Sequence, residues 1–393
     1  MKMIKAVAIA GACLSGVALG MTVVNSLTWP RGKRRGRMPS RRNVSILIPA
    51  RNESNTIEAC VRAARDSEHP VAEVIVCDDQ STDGTTEILQ RMQEREPATR
   101  HRAPLKVIQG TGLPDGWAGK PHACHNLYKA AQGDVLLYID ADTFIDYEGV
   151  SRIASLFAEL DADIVTAVPR QITVGAAEKL ILPLLHLTYT SWFPIFLTWR
   201  SKDHRFLAAN GQVMAITREA YEETGGFEAI KAALVDDMEL CKRAKKMGYR
   251  VVFADGDRIA ECRMYTSWTE IWEGFSKNIY PGLGASKVGL AGVLALYGVA
   301  FVSPYVLVLL HQAERLTETN NTLINKDIYN IARLGLLNNL MVRALLAKRH
   351  QHSFAGALLH PFGVLGLMAI ALNSARWYER GQIRWSGRVY ASQ

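Results

Sequence analysis

Asp134-Val-Leu-Leu-Tyr-Ile-Asp140-Ala-Asp142 decides how the chain is read. Its apolar middle is five residues long, preceded by Gly133 and closed by acids, the pattern of a strand buried on both faces. In a parallel α/β sheet, ligands sit beyond the carboxyl ends of the strands, where Asp140 and Asp142 would emerge. Residues i and i+2 of a strand or tight turn share a direction, so the two carboxylates can face one hard cation. Mg²⁺ or Mn²⁺ holding a diphosphate fits that arrangement. The plainer alternative is a pair of loop acids or helix caps after a strand, and the rest of the chain has to separate the two.

Upstream, short apolar runs alternate with amphipathic ones. Strands are expected at 44–49, 73–77 and 105–108, and helices at about 57–64, up to about 95, and 121–131. Asn55-Thr-Ile-Glu58 is a plausible capping box for the first helix. Downstream, a helix is expected at 148–160 and strands at 163–168, 206–216 and 250–254. Asn210-Gly211-Gln212 falls near the middle of the 206–216 run, where the glycine weakens it. Asp236, Asp237 and Glu239 open another helix, with Lys242, Arg243, Lys245 and Lys246 toward its end, as the helix dipole prefers. Strands separated by helices of this length imply right-handed crossovers and an α/β fold with a mostly parallel sheet.

The chain has 393 residues, 48% hydrophobic and 21% charged, room for a large core and for membrane segments besides. Residues 6–24 approach the roughly 20 apolar residues that cross a bilayer, longer than a signal peptide's core. Arg31, Lys33, Arg34, Arg35, Arg37, Arg41 and Arg42 follow at once. Their position beside an apolar run makes anionic lipid headgroups their expected counter-charge and speaks against a nucleic-acid partner for the net charge of +8. The same cluster puts the N-terminus outside and the following domain in the cytoplasm. Residues 180–199 are apolar and aromatic, broken by Pro183 and Pro194, and read as an interfacial helix. Near the C-terminus, 288–310 and 354–373 read as spans, the second kinked by Pro361, with 331–347 interfacial. Two spans leave the basic tail (Arg376, Arg380, Arg384, Arg388) cytoplasmic. The expected division is an anchor at 1–29, a basic linker at 30–42, a catalytic domain at 43–280, membrane and interfacial helices at 281–375 and a tail at 376–393. The six cysteines, 13, 60, 77, 124, 241 and 262, lack the spacing of a zinc site or a disulfide framework. His122 and His125 lie three apart on the 121–131 helix, but a metal site there would need further ligands.

Five charged signals thus stand at successive strand ends: Pro49-Ala-Arg51-Asn-Glu53, Asp78-Asp79, Gly119-Lys120, Asp140-Ala-Asp142 and Asp236-Asp237. Their order and spacing over 43–278 resemble the inverting family 2 glycosyltransferases of the GT-A fold. The loop Gly116-Trp-Ala-Gly-Lys120 and the flanking apolar segments make the chain similar to the membrane members that include the diaponeurosporenoate and chlorobactene glucosyltransferases and the hopanoid-associated glycosyltransferases. The resemblance implies that Pro49, Ala50, Arg51 and Glu53 line a nucleotide pocket and that Asp79 meets the uracil with Asp78 beside it. Lys120 would meet the diphosphate, with Arg263 assisting, while Asp140 and Asp142 hold the metal. Asp237 matches the second acid of the family's Glu-Asp motif and takes the role of base. Asp236 stands where the family has Glu, which leaves the choice between the two acids open. Asn210, Gly211 and Trp268 are expected on the acceptor side, although Trp268 has the alternative of packing against lipid. The Gln-x-x-Arg-Trp motif of the polymerising members is missing, and Arg263-Met-Tyr-Thr-Ser-Trp268 stands in its place, which implies a single transfer. The resemblance therefore implies a nucleotide-sugar donor, UDP-glucose foremost, and a lipid acceptor. A nucleotide-sugar-binding subunit without activity is the other class of reading. A nucleotidyltransferase would want a Gly-rich phosphate loop after the first strand, and Pro49-Ala-Arg-Asn-Glu is not one.

Overall fold

A computed structural model describes residues 1–38, 42–99, 102–233, 235–317, 323–385 and 388–390. Arg41 of the basic run and parts of the basic tail lie outside the described residues. In chain order the elements are α1 (Lys2–Thr28), β1 (Val44–Ala50), α2 (Ile57–Arg65), β2 (Glu73–Asp78), α3 (Thr85–Arg95), β3 (Leu105–Gln109), α4 (Gly119–Ala130), β4 (Val135–Ile139), β5 (Thr143–Ile145), α5 (Gly149–Leu160), β6 (Ile164–Gln171), α6 (Ala176–Ile181), α7 (Pro183–Trp192), α8 (Leu197–Arg200), β7 (Val213–Thr217), α9 (Arg218–Glu223), α10 (Asp236–Lys246) and β8 (Val251–Cys262). Helices α11 (Trp268–Gly282), α12 (Lys287–Tyr297), α13 (Ser303–Leu316), α14 (Lys326–His350), α15 (Phe354–Leu358) and α16 (His360–Glu379) follow, with short strands β9 (Ile383–Trp385) and β10 (Arg388–Tyr390). Two compact units result. The sheet unit is Thr28–Ile172 with Ile195–Met264; the helical unit is Met1–Leu27, Thr173–Pro194 and Tyr265–Gln393.

The sheet unit is an eight-stranded mixed sheet in the order β3-β2-β1-β4-β7-β6-β8-β5. Strands β1 to β4 are parallel. All five residues of β4 are buried, and they alternate between two cores. Val135, Leu137 and Ile139 pack with α2, α3 and α5, whereas Leu136 and Tyr138 pack with α4, α9 and α10. The same alternation sends Ile46 and Ile48 one way and Leu47 the other. Each such side chain contributes about 1.5–3 kcal/mol by leaving water, so the sheet is sealed on both faces and polar groups emerge at its edge.

Strand β7 runs antiparallel to both β4 and β6. This reversal puts the residues just before β7 beside the carboxyl end of β4, where the Asp140 N–H donates to Gln212 O at 3.2 Å. The expected 206–216 strand is thereby shortened to 213–217, because Asn210 Oδ1 accepts the Gln212 N–H at 3.0 Å and turns the chain. The expected capping box is also not made: Thr56 precedes α2 and gives its hydroxyl to Glu53 instead. Strand β8 runs past the expected 254 to Cys262. Its pairing with β6 slips between Pro169 and Arg170, and its far end pairs antiparallel with β5, setting Cys262 opposite Thr143.

In the helical unit, α1 and the continuous helix Lys287–Leu316 are long and apolar enough to cross a membrane, by length and composition only. Pro361 falls in the first turn of α16 and begins that helix rather than kinking it, since a first-turn proline forfeits no helical hydrogen bond. The 331–347 stretch belongs to α14, which turns Asn339 and Arg343 inward. Helix α7 is no surface helix either: Leu184 and Leu187 are buried with Ala18, Phe301, Val342 and Val364.

Strands β1 and β4 meet so closely that Gly133 has no room for a side chain. A Cβ there would stand 2.6 Å from both N and Oγ of Ser45. Gly133→Ala is expected to lose about 1–3 kcal/mol by overpacking, read as an earlier thermal unfolding of the purified protein. An unchanged transition would mean that the β1–β4 seam can open without cost.

Candidate active site

Every strongly charged group of the site comes from the carboxyl edge of the sheet or the helix start facing it. Asp140 and Asp142 leave β4, Lys120 sits in the first turn of α4, and Asp236 and Asp237 open α10. Lys120 Nζ lies 2.5 Å from Asp140 Oδ1. Burial works against the ammonium, but the Asp140 and Asp236 carboxylates outweigh it and hold Lys120 well above its ordinary value. Burial raises Asp236, against the pull of Lys120. Burial and the charge of Asp236 push Asp237 up to about 6. Gly211 lies against Asp237, where a Cβ would come within 3.4 Å of Oδ2. Of the two neighbours, Asp237 is therefore the one that meets the 210–212 turn, and Asp236 is coupled mainly to Lys120 and Asp140.

On the other side, burial and the charge of Asp140 lift Asp142 to about 6, while burial and Asp142 lift Glu53 to about 7. Carboxylates that raise one another are a donor set of hard oxygens whose charge a divalent cation satisfies. Asp140 and Asp142, with Glu53 near, thus fit Mg²⁺ or Mn²⁺.

The loops after β1 and β2 are stapled together. The Asn52 N–H donates to Ser81 Oγ (3.0 Å), Glu53 N–H to Thr85 Oγ1 (2.9 Å) and Ser54 N–H to Asp83 Oδ2 (3.0 Å), while Asn52 Oδ1 accepts the Thr82 N–H (2.8 Å). Asn52 and Gln80 both have positive φ, 58° and 60°, a cost accepted where a loop must present its backbone in a set direction. Burial opposes ionisation of Asp83, but the hydrogen bonds from Thr85 and Ser54 prevail and hold it at about 2. Asp78 is fully buried and accepts from the Ser81 N–H and the Thr86 hydroxyl, so its carboxylate organises the turn. Asp79 donates its backbone N–H to Ala50 O at 2.8 Å and lies beside Arg51, whose Nη1 donates to Asp79 O at 2.5 Å. Pro49, Ala50, Arg51, Glu53, Asp78 and Asp79 therefore form one loop pair at the β1 and β2 tips.

Arg263 follows β8 and gives its backbone N–H to Asp142 O at 3.3 Å, while its side chain is exposed. Trp268 belongs to the helical unit, where its ring tilts against Trp272 at 5.8 Å. His122 and His125 pack against Trp117, at 5.4 and 5.1 Å between ring centres. Arg31, Lys33 and Arg34, expected to face lipid headgroups, each also reach an acid of the sheet unit, Asp255, Glu159 and Glu148, while their side chains stay more than half exposed.

Sequence reasoning missed a buried chain behind the metal-site acids. Gln171 Nε2 donates to Gln212 Oε1 at 3.1 Å, and Gln212 Nε2 donates to Cys262 Sγ. Cys262 is hydrogen-bonded in turn to Asp142, which also accepts from the Thr143 hydroxyl at 3.2 Å. No local motif marks these residues; the β7 reversal and the β8 slip assemble them.

Residues 45–225 match the family model described as glycosyl transferase family 2. The chain thus carries a domain of that family on a GT-A-type sheet, and it is a glycosyltransferase. Its similarity extends well beyond the domain. A 4,4'-diaponeurosporenoate glycosyltransferase of Staphylococcus aureus strain USA300 is 25% identical over 361 residues, covering 88% of each chain. The protein of the same name from a bovine strain is 23% identical over 363 residues, covering 89% of this chain and 88% of the relative. A mannosyltransferase from Pyrobaculum calidifontis, solved with GDP-Man and Mn²⁺, shares the fold at a TM-score of 0.55 and 18% identity, covering 94% of this chain and 98% of that one.

Gln171 Nε2 donates to both Pro169 O and Gln212 Oε1, so Gln212→Ala removes one of those two bonds and the Gln212 bond to Cys262. The expected cost is about 1–3 kcal/mol for buried groups left unpaired, read by thermal unfolding. Gln212→Glu, which keeps the side chain's reach but adds a charge near Asp142, is expected to destabilise further. Wild-type stability in both variants would show that the chain carries no weight.

Proposed function

We propose that this protein transfers a hexose, with inversion, from a nucleotide-diphosphate sugar to an apolar membrane lipid, once per acceptor. The gathering of Asp140, Asp142, Asp236 and Asp237 around Lys120 carries this reading. UDP-glucose is the donor we favour, and a carotenoid or hopanoid bearing a hydroxyl or carboxyl group the acceptor. The relatives named for diaponeurosporenoate and the two apolar helices support a lipid acceptor. Helix α1 and the 287–316 helix would anchor the chain, with the sheet unit cytoplasmic.

Asp140 and Asp142 would hold the divalent ion, which neutralises charge on the departing diphosphate. Glu53 and Asp79 accept from the ribose and the base of the nucleotide, on loops kept in place by the Asn52 and Asp83 staples. Lys120 exchanges Asp140 for diphosphate oxygen as a point charge. The acceptor oxygen bonds to the anomeric carbon while the bond from that carbon to the diphosphate breaks. Asp237 takes the acceptor's proton, and a carboxylate at about 6 is a stronger base than an ordinary one while remaining ionised at neutral pH. Asp236 sustains that basicity by its charge. An acceptor carboxylate, already ionised, needs no such base.

The assay is transfer from radiolabelled UDP-glucose by reconstituted protein to lipid extracts. With a hydroxyl acceptor, Asp237→Asn should keep donor binding and lose roughly 10² to 10⁴ in kcat, with Asp236→Asn losing less. With a carboxylate acceptor the Asp237→Asn loss should be small. Dominance of Asp236 in the hydroxyl reaction would move the base by one residue, and loss of donor binding in both variants would make the pair structural.

The pH dependence has a definite sign. The base must be ionised and its value is raised, so kcat for a hydroxyl acceptor should fall as pH drops through about 6. A flat profile down to about pH 5, below which an ordinary carboxylate titrates, would remove Asp237 from the role. Chelation with EDTA should abolish transfer, and Asp142→Asn should reproduce that loss; full activity in EDTA would remove the metal.

A further inference from the structure

The helical unit buries a positive charge with no carboxylate set against it among the described residues. Arg343, on α14, is 2% exposed, and its Nε and Nη1 have no hydrogen-bond partner among the described residues. Three other polar groups within its electrostatic reach are in the same condition: the Tyr305 hydroxyl on α13, both ring nitrogens of His360 at the start of α16, and both of His352 just past α14. The Tyr305 and His360 rings stand 6.3 Å apart. One turn before Arg343, Asn339 is fully buried and shows why this place is irregular. Pro304 has no N–H to give to Ala300 O four residues back, the segment Gly298–Val302 is wound as a π-helix, and Asn339 Nδ2 donates to Ala300 O at 3.0 Å. Such π-segments concentrate at functional places in helices.

A guanidinium does not shed its proton, and holding one away from water without an anion costs several kcal/mol. Buried and unpaired arginine, phenol and imidazole groups within electrostatic reach of one another offer N–H and O–H donors to an acceptor with several lone pairs, which is an oxyanion. The same unit exposes Val288 and Leu309 on the 287–316 helix, 83% and 67% open, so the molecules around it are apolar-tailed. We propose that Arg343, Tyr305, His352 and His360 bind the oxyanion headgroup, phosphate or carboxylate, of an apolar-tailed lipid. The site stands on the helical unit alone and does not depend on the reading of the sheet unit.

The test uses the full chain, purified in a neutral detergent and stripped of lipid, with thermal unfolding followed as amphiphiles are added. Phosphatidylglycerol and a long-chain fatty carboxylate separate the two headgroups, diacylglycerol of the same tails removes the charge, and inorganic phosphate removes the tails. A saturable rise in unfolding temperature with one or both anionic amphiphiles, but not with diacylglycerol, is expected. Arg343→Gln should weaken the apparent affinity roughly tenfold or more, as loss of a charge-assisted hydrogen bond implies, with Arg343→Lys recovering part of it. Tyr305→Phe, a milder change, should weaken binding in the same direction and serves if Arg343→Gln does not fold. An equal shift with diacylglycerol, no shift with any amphiphile, or unaltered affinity in the Arg343 and Tyr305 variants would overturn the site. The whole shift from inorganic phosphate alone would overturn the lipid part.

Discussion

Lys120 stands among Asp140, Asp142, Asp236 and Asp237 at the carboxyl edge of the sheet, and the mutual repulsion of those acids is the constraint on which the site depends. Burial first, and the charge of neighbouring carboxylates after it, displaces Asp142, Asp237 and Glu53 upward, and burial raises Asp236 against the pull of Lys120. The ion pair with Asp140 relieves a part of that repulsion. The remainder is a standing demand for positive charge, which a divalent ion can meet. A site so charged stores unfavourable energy that the two apolar cores around β1 and β4 offset.

The sheet's change of direction makes this arrangement geometrically available. A wholly parallel sheet would deliver only strand-to-helix turns to its carboxyl edge. With β7 reversed, the residues that enter a strand stand beside those that leave one, so Gln212 meets Asp140 and Gly211 meets Asp237. The slip in β8 does the same for Cys262 and Asp142. A Cβ at 211 would stand 3.3 Å from Asp237 Cβ and 3.4 Å from its Oδ2, so any side chain there would press on the Asp237 side chain.

The helical unit follows a related rule in apolar surroundings. Its polar groups are conspicuous where they lack partners, and Pro304 with Asn339 shows the fold making good one freed carbonyl by a side chain from another helix. Among the described residues no such repair is made for Nε and Nη1 of Arg343, which is why an external oxyanion is the natural complement.

Local chemistry was enough to read much of this protein from its sequence. The strands β1 to β4, the helices between them, the acids at Asp140, Asp142, Asp236 and Asp237 and the lysine at 120 were all visible, because periodicity and strand-end charge are properties of short stretches. What only the tertiary structure decided depends on residues far apart in the chain. The direction of β7, the slip in β8 and the resulting Gln171–Gln212–Cys262 chain come from pairings across 40 residues or more, which no window of sequence contains. The acidic partners of Arg31, Lys33 and Arg34 were hidden for the same reason, since they lie more than 100 residues away. The inward turn of Arg343 was hidden too: a charged residue in an apolar stretch reads as an interruption until the helices that enclose it are assembled.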